Sequence, residues 1–303
     1  MTGLLQLFAE NLLPVLIVAG LGFAVQRAFR LDPTPLSRIA FYIALPALLF
    51  ELLVSSDIDP ADLGQMMLLA TVVIACMAGL GFLVSRALHL PERLAAAFIM
   101  SVAFMNAGNY GLSVSQFAMG DAGLAWASAF YVASSMLANA AGVYIATVGR
   151  SSPLRAALGL FRVPALYAIL LALLVRSTGR AIPTFASRPI ELLAATAVPL
   201  MLLLLGMQMA RAGLPQRRSL VALSSGLRLL VSPALALLLL PAFSLPLLAG
   251  KVAVLEAAMP SAVLNSIIAA EFDAEPGFVA GAVLTSTLLS PLTLTPILAL
   301  LGA

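Results

Sequence analysis

The chain has 303 residues, of which 62% are hydrophobic and 10% are charged. At about 20 residues for each membrane-spanning helix, this length accommodates about ten spans and leaves almost nothing for a domain outside the bilayer. The composition therefore excludes a soluble enzyme, and the net charge of +3 reflects arginines in loops, not a nucleic-acid-binding surface.

Ten apolar segments follow one another along the chain, and we number them 1 to 10. Their bounds are Leu4–Gln26, Leu36–Val54, Leu63–Leu88, Leu94–Met119, Ala122–Val148, Leu160–Val175, Ile190–Ala210, Leu220–Leu240, Leu247–Ala270 and Gly277–Leu301. No basic residue precedes the first apolar run, so we expect segment 1 to be a retained helix and not a cleaved signal peptide. We expect an all-α membrane protein with ten transmembrane helices in one domain, residues 1–303.

Basic residues are concentrated in the loops that follow the odd-numbered segments. These loops contain Arg27, Arg30, Arg38, Arg86, Arg93, Arg150, Arg155, Arg162, Arg211, Arg217 and Arg218. The loops on the other side contain Arg176, Arg180, Arg188 and Lys251. Because basic loops are retained on the cytoplasmic side, we expect an integral protein of the cytoplasmic (inner) membrane with both termini outside.

Segment 4 contains a stretch that a continuous spanning helix would avoid. Between Phe104 and Ser115 it carries two glycines, two asparagines and two serines, which weaken a helix and place polar groups at a depth without water. Many secondary transporters bind substrate at such broken helices, because half-helix ends carry partial charges. We expect the break to rest on the two glycines. The candidate substrate-binding residues here are Asn106, Gly108, Asn109, Tyr110, Gly111 and Ser113.

Segment 9 is polar at the corresponding place. Pro260 removes a backbone donor and frees a carbonyl, and nearby polar side chains lie about one turn apart. The candidate binding residues of this segment are Pro260, Ser261, Asn265 and Ser266. If the two breaks cross near the midplane, these residues surround a small pocket. The alternative is that proline and glycine only kink the helices, and that serine and asparagine only join neighbouring helices.

The two halves of the chain resemble each other. Pro46 in segment 2 corresponds to Pro199 in segment 7, and Met105 in segment 4 corresponds to Met259 in segment 9. Five spans in each half make consecutive repeats point in opposite directions across the membrane. We therefore expect a 5+5 inverted repeat, residues 1–149 and 160–303, joined by a short cytoplasmic loop. Chance is a competing explanation, since matches are frequent in an apolar sequence of low diversity.

Two charged residues within the spans are candidates for charge balance or coupling. Arg228 lies ~15 Å beyond the cytoplasmic edge of segment 8, near the middle of a ~30 Å hydrocarbon core. A bare charge is costly there, so Arg228 needs a carboxylate such as Glu256 or Glu51, a half-helix carbonyl end, or an anionic substrate. Glu256, one turn before Pro260, is a candidate proton carrier or the counter-charge of Arg228.

Motifs for catalysis or cofactor binding are missing from the sequence. There is no phosphate-binding Walker loop, no His-Glu metal pair and no nucleophile elbow. Cys76 and His89 are single residues of their kind, which excludes an internal disulfide and a thiolate metal site. We therefore expect no enzymatic activity, no cofactor and no metal site.

Five motifs in order resemble those of the auxin efflux carrier family of plants and bacteria. They are Ser37–Phe50, Asn106–Leu112, Pro199–Met207, Arg228–Pro233, and the run Glu256–Asp273 followed by Thr285–Pro291. The resemblance covers nearly the whole chain and implies a sodium/proton-antiporter-like fold. In this fold, segments 4 and 9 cross at the substrate site, and transport occurs by an elevator motion. Ser113 departs from the family pattern, since many members have proline there. The chain also lacks the long cytoplasmic loop of the plant exporters and is closer to compact bacterial members.

For bacterial members, the resemblance implies carboxylate substrates such as malonate, with proton coupling in some cases. It also implies that segments 2 and 7, with Pro46 and Pro199, form a scaffold and a homodimer contact. We therefore expect a secondary transporter that moves a small organic anion, malonate-like or auxin-like, through the lipid bilayer by alternating access.

Two other functions stay open. One is a sodium- or proton-coupled symporter or antiporter of the same fold for another solute, and the other is a membrane sensor that has lost transport. An antiporter usually needs an unpaired aspartate near the crossing, whereas Asn106, Asn109 and Asn265 are neutral, which argues against it. Sodium coupling stays open because asparagine and freed carbonyls are good ligands for a hard cation.

Overall fold

The structure, a computed structural model, is built from α-helices, as the sequence predicts. It describes residues 2–147, 158, 161, 163–179, 182–212 and 217–302. Within these ranges we find no strand longer than one isolated β-bridge. The main helices are α1 Gly3–Phe29, α2 Thr34–Val54, α3 Pro60–Ala87, α4 Glu92–Ala103, α5 (residues 107–119), α6 (residues 121–146), α7 Pro164–Ser177, α8 Thr184–Arg211, α9 Arg218–Ala242, α10 Leu247–Ala257, α11 Val263–Glu271 and α12 Pro276–Leu301.

Seven helical stretches in the described part of the chain are long and apolar enough to cross a membrane. One of them, Ala107–Ala146, leaves helical geometry at Gly120 (φ 65°, ψ −164°), and we therefore divide it into α5 and α6. The helices agree with an integral membrane protein. Four arginines of the orientation prediction lie outside the described residues, as does most of the linker between the expected repeats; they are Arg150, Arg155, Arg162 and Arg180.

Two interruptions lie side by side inside the molecule, one between α4 and α5 and the other between α10 and α11. Met105 of the first and Ser261 of the second form an antiparallel β-bridge. The Asn106 amide donates to the Pro260 carbonyl (2.7 Å), and the Ala262 amide donates to the Phe104 carbonyl (2.9 Å). Each break therefore satisfies backbone groups of the other at a depth where lipid offers no partner.

The break in segment 4 lies at residues 104–106, so the expectation that it rests on Gly108 and Gly111 is wrong. Both glycines lie in the π-helical start of α5, Ala107–Leu112. Pairing with the second break determines the position of the first. The two glycines have a different role, because they allow neighbouring side chains to pack against the backbone of α5. A Cβ atom on Gly108 would lie 2.8 Å from the Tyr131 ring, and one on Gly111 would collide with the Glu256 carboxyl group.

The helices form two sets. The four-helix group consists of α1, α2, α7 and α8, in which α1 packs along α8 and α2 packs on both α7 and α8. The core group contains the other helices and surrounds the two breaks. Tight packing of α1 on α8 depends on two glycines, because a Cβ on Gly22 would collide with the Leu203 carbonyl and one on Gly206 with the Ala19 carbonyl.

Two prolines of the four-helix group belong to the predicted scaffold. Pro46 lies two residues after a π-helical turn in α2, Ala40–Ala44, and Pro199 lies on the exposed side of α8. A proline cannot donate the helical backbone hydrogen bond and crowds the preceding turn. The wider π-helical turn before Pro46 accommodates this change in register within an otherwise continuous helix.

Ion pairs join several loops at one end of the molecule. The pairs are Arg93 with Asp273, Arg211 with Asp32 (3.8 Å) and Arg217 with Glu275 (3.9 Å). These residues come from the loops that follow segments 1, 3, 7 and 9. The basic loops after segments 1, 3 and 7 therefore meet at one end of the described structure, together with the acidic loop after segment 9.

Candidate functional site

A cavity of about 240 Å³ lies between the four-helix group and the core group, next to the two breaks. Its wall on the four-helix side consists of Ser37, Phe41, Tyr42, Val163, Pro164 and Gln208. Its wall on the core side consists of Met105, Asn106, Ala107, Gly108, Asn109, Tyr131, Ser134, Ser135, Ala138, Asn139, Ala262, Val263, Leu264 and Ile267. No charged side chain is among these lining residues.

The cavity adjoins the N-terminal ends of two half-helices. Residues 107–109 form the first turn of α5, and Val263 and Leu264 begin α11. The first N–H groups of a helix have no acceptor within it and carry the positive end of the helix dipole. Two such ends at one cavity attract an anion without any basic side chain.

Asn106 and Asn109 add polar side-chain groups at this place. Both are at least 95% buried, and neither Asn106 Nδ2 nor Asn109 Oδ1 has a hydrogen-bond partner among the described residues. Asn109 Nδ2 donates to Gln208 Oε1 of α8 at 3.3 Å. An unpaired buried polar group costs about 1–3 kcal/mol, so a ligand that pairs with these atoms gains binding energy from them.

Arg228 holds the opposite, C-terminal ends of the half-helices. It is fully buried, and its Nη1 donates to the carbonyls of Val102 (2.9 Å) and Ala103 (3.0 Å) at the end of α4. Its Nη2 donates to the Ala257 carbonyl at the end of α10 (2.6 Å) and to the Ser232 hydroxyl. One guanidinium thus neutralises the negative ends of both half-helices. Of the partners that the sequence left open for Arg228, a carboxylate, a half-helix carbonyl end or an anionic substrate, the structure has the carbonyl ends. Arg228 does not line the cavity.

Asn265, like Arg228, donates to backbone carbonyls at the end of α4 and does not line the cavity. Its Nδ2 donates to the carbonyls of Met100 (3.0 Å) and Phe104 (3.3 Å) and to the Ser261 hydroxyl (3.2 Å). The side chain is fully buried and lies outside the cavity lining. Asn265 therefore joins the start of α11 to the end of α4.

The cavity brings together only part of the predicted binding set. Asn106, Gly108 and Asn109 line it. Those outside the lining are Tyr110, Gly111, Ser113, Pro260, Ser261, Asn265 and Ser266. Tyr110 shares a hydrogen bond with Ser290 of α12 (3.1 Å), and the Ser113 hydroxyl donates to the Asn109 carbonyl (3.2 Å).

Glu256, near the end of α10, lies against Gly111 of α5. It is fully buried, and its Oε1 accepts a hydrogen bond from the Ser115 hydroxyl at 2.8 Å. Its Oε2 has no partner in the part of the chain that the structure describes, and no ion pair joins it to Arg228. Like Arg228, it does not line the cavity.

The sequence did not identify several polar residues on both walls of the cavity. Gln208 is the clearest, because it contacts Asn109 directly, and Ser37, Tyr131 and Asn139 also line the cavity. The available signal was a lone amide in the apolar run of segment 7, since polar side chains at membrane depth are rare and face the protein interior. Nothing in the local sequence indicates which other segment such an amide would face.

Comparisons with known proteins agree with a transport role. A family model described as "membrane transport protein" matches residues 7–152 and 148–298 of the chain. An uncharacterized transporter of Methanothermobacter thermautotrophicus is 28% identical over 290 residues, which cover 94% of this chain and 95% of the relative. An uncharacterized transporter of Methanocaldococcus jannaschii is 23% identical over 267 residues, 86% of each chain.

Proposed function

Because the chain belongs to the membrane transport protein family, the auxin efflux carriers that its motifs resemble, we propose that it is a secondary transporter of small organic anions. Family membership favours transport over catalysis. The observation that carries the substrate class is the cavity at the N-termini of α5 and α11, where two unpaired asparagine groups are buried.

A carboxylate matches the chemistry of this cavity. Its oxygens accept hydrogen bonds from helix N-terminal amides and from Asn106 Nδ2, and the helix dipoles favour its charge. Asn109 Oδ1 is a free acceptor that suits a hydroxyl or a protonated second carboxyl group. The volume of about 240 Å³ favours a small molecule, and the aromatic rings of Phe41 and Tyr131 favour one with a short apolar part. Malonate-like mono- and dicarboxylates have this combination of features.

Alternating access by an elevator motion is the proposed mechanism. The cavity lies at the boundary between the two helix groups, with Asn109 of the core group hydrogen-bonded to Gln208 of the four-helix group. We propose that the four-helix group is the scaffold and that the core group carries the anion. If α4 with α5 and α10 with α11 each count as one interrupted span, the helices make ten spans, which supports the proposed 5+5 inverted repeat.

Orientation and assembly follow from the same proposal. The end at which the basic loops meet faces the cytoplasm, which places both termini outside the cytoplasmic membrane. The outer faces of α2 and α8, including exposed Pro199, form the proposed homodimer contact.

Transport by the purified chain in proteoliposomes tests the proposal. We expect counterflow of labelled malonate, acetate or indole-3-acetate above the level of protein-free liposomes, and loss of this counterflow in Asn106→Ala. Asn11→Ala is the control, because Asn11 is equally buried in α1 and donates to the Leu7 carbonyl, away from the cavity. Binding of these anions without counterflow would identify a sensor. Transport of cationic or neutral solutes alone would contradict the anion site.

A further inference from the structure

Two charged side chains are fully buried among the described residues, and they have opposite signs. They are Arg228 and Glu256, each with 0% of its surface exposed. Arg228 of α9 contacts α10 next to Glu256, because it donates to the carbonyl of Ala257, the residue that follows Glu256. A net charge in a low-dielectric interior is costly, so the number of charges buried together in the core group is constrained.

Glu256 differs from Arg228 in how well it is paired. The guanidinium of Arg228 donates to four acceptors and has only its Nε unpaired. The Glu256 carboxyl group accepts one hydrogen bond, from Ser115, and its Oε2 is unpaired. A permanently ionised carboxylate would need further donors at this depth. A carboxyl group that gains a proton avoids this cost while it is protonated.

We propose that Glu256 is a proton-binding site coupled to the anion cavity. When an anion occupies the cavity, its charge balances Arg228 and Glu256 is protonated. When the cavity is empty, Glu256 is ionised and balances Arg228 itself. The buried charge is zero in both states when the anion carries a single charge, as hydrogenmalonate does. Such an anion and one proton therefore enter and leave the core group together. The inference rests on the proposed function and adds its coupling ion.

The geometry provides a route for this coupling through α5. Residues 107–109 of α5 border the cavity, while Gly111 and Ser115 of the same helix contact the Glu256 carboxyl group. The lack of a side chain at Gly111 lets the carboxyl group rest against the backbone of α5. Occupancy of the cavity and protonation of Glu256 therefore act on the same helix.

No other buried charged side chain of the described residues competes for this role. The helices packed against α10 contribute few other titratable groups. Those that are buried are Arg228, Tyr110 and Tyr131, and those that are exposed or partly exposed are Asp62, Cys76, Arg86, Asp121, Tyr144 and Arg218, besides Lys251 of α10 itself. Hard cations bind about six oxygens, whereas Ser115 is the one side chain seen to pair with this carboxyl group, which favours a proton over a metal ion.

Infrared titration of the ligand-free protein in liposomes tests proton binding without requiring transport. We expect a protonated-carboxyl band that disappears as the pH rises, is absent from Glu256→Gln, and persists in the control Glu51→Gln. Ser115→Ala keeps the carboxyl group and should move the midpoint of this titration. A band unchanged in Glu256→Gln, or a midpoint unmoved by Ser115→Ala, would overturn the proton site.

Coupling is measured in proteoliposomes that contain a pH-sensitive dye. A malonate gradient should drive more proton movement per malonate in the wild type and in Glu51→Gln than in Glu256→Gln. In Glu256→Gln, malonate exchange should continue and only the proton of hydrogenmalonate itself should move. Equal proton movement per malonate in the wild type and in Glu256→Gln would overturn the coupling and leave the anion carrier intact. Absence of malonate uptake together with an intact infrared titration would overturn the proposed anion transport and its coupling, but not proton binding at Glu256.

Discussion

At the scale of single residues, the asparagines near the breaks have two different roles. Asn106 and Asn109 keep one side-chain atom each without a partner, next to the cavity. Asn265 Oδ1 is also unpaired, but Asn265 lies outside the cavity lining, and its amide nitrogen binds carbonyls at the end of α4. Unpaired groups at a cavity serve a ligand, whereas donors that satisfy helix ends serve the fold.

Asparagine-to-alanine variants separate these roles. Asn265→Ala should lower the free energy of unfolding by about 1–3 kcal/mol, because buried carbonyls of Met100 and Phe104 lose a donor. Asn109→Ala should weaken malonate binding while leaving the unfolding temperature in detergent close to that of the wild type. Thermal unfolding and calorimetric titration measure the two effects. Equal loss of stability in both variants would contradict the distinction.

The sequence indicates which residues are polar at membrane depth but not what they face. Asn106 and Asn109 stand out because they interrupt an apolar segment together with glycines, and that local pattern predicts a site. The partners of Asn265 and Arg228 are backbone carbonyls on segments far away in the chain. Backbone carbonyls have no signature in the sequence, so only the fold identifies these contacts.

At the scale of elements, position depends on pairing between distant segments. Composition predicted that segments 4 and 9 are interrupted, since glycine, asparagine and proline all weaken helices. The place of the first interruption follows instead from the β-bridge between Met105 and Ser261. A local pattern therefore predicts that a helix breaks within about two turns, and the partner break determines the residue at which it does so.

Glycines on α1 test how the four-helix group is held together. Gly22→Ala should destabilise the protein by about 1–3 kcal/mol, because the new methyl group meets the rigid Leu203 backbone of α8. Gly20→Ala is the matched control on the same helix, since nothing lies within 4 Å of its added Cβ. In Gly20→Ala, the higher helix propensity of alanine should stabilise the protein by up to about 1 kcal/mol. Chemical unfolding in detergent measures the free energy of unfolding of both variants. An unchanged value for Gly22→Ala would show that α1 and α8 can move apart to accommodate the methyl group.

At the scale of the whole molecule, the cavity lies between two helix groups, and this position connects it to the proposed motion. Side chains of both groups line it, and the half-helix ends on the core side are tied to one another by Arg228, Asn265 and the β-bridge. These ties hold α4, α5, α10 and α11 as one unit. Across the cavity, the hydrogen bond between Asn109 and Gln208 is 3.3 Å long and easily exchanged for a ligand.

Distance measurements between spin labels test whether the core group moves as a body. In a Cys76→Ala background, labels at Phe185→Cys of α8 and Asp121→Cys at the start of α6 report on the two groups, since both positions are exposed. We expect two populations of distances whose ratio changes when malonate is added, because the anion favours one position of the core group. Labels at Asp121→Cys and Leu247→Cys lie within the core group and should give one distance that malonate leaves unchanged. A single, malonate-independent distance for both pairs would mean that the groups do not move relative to each other, and access to the cavity would then require a local gate.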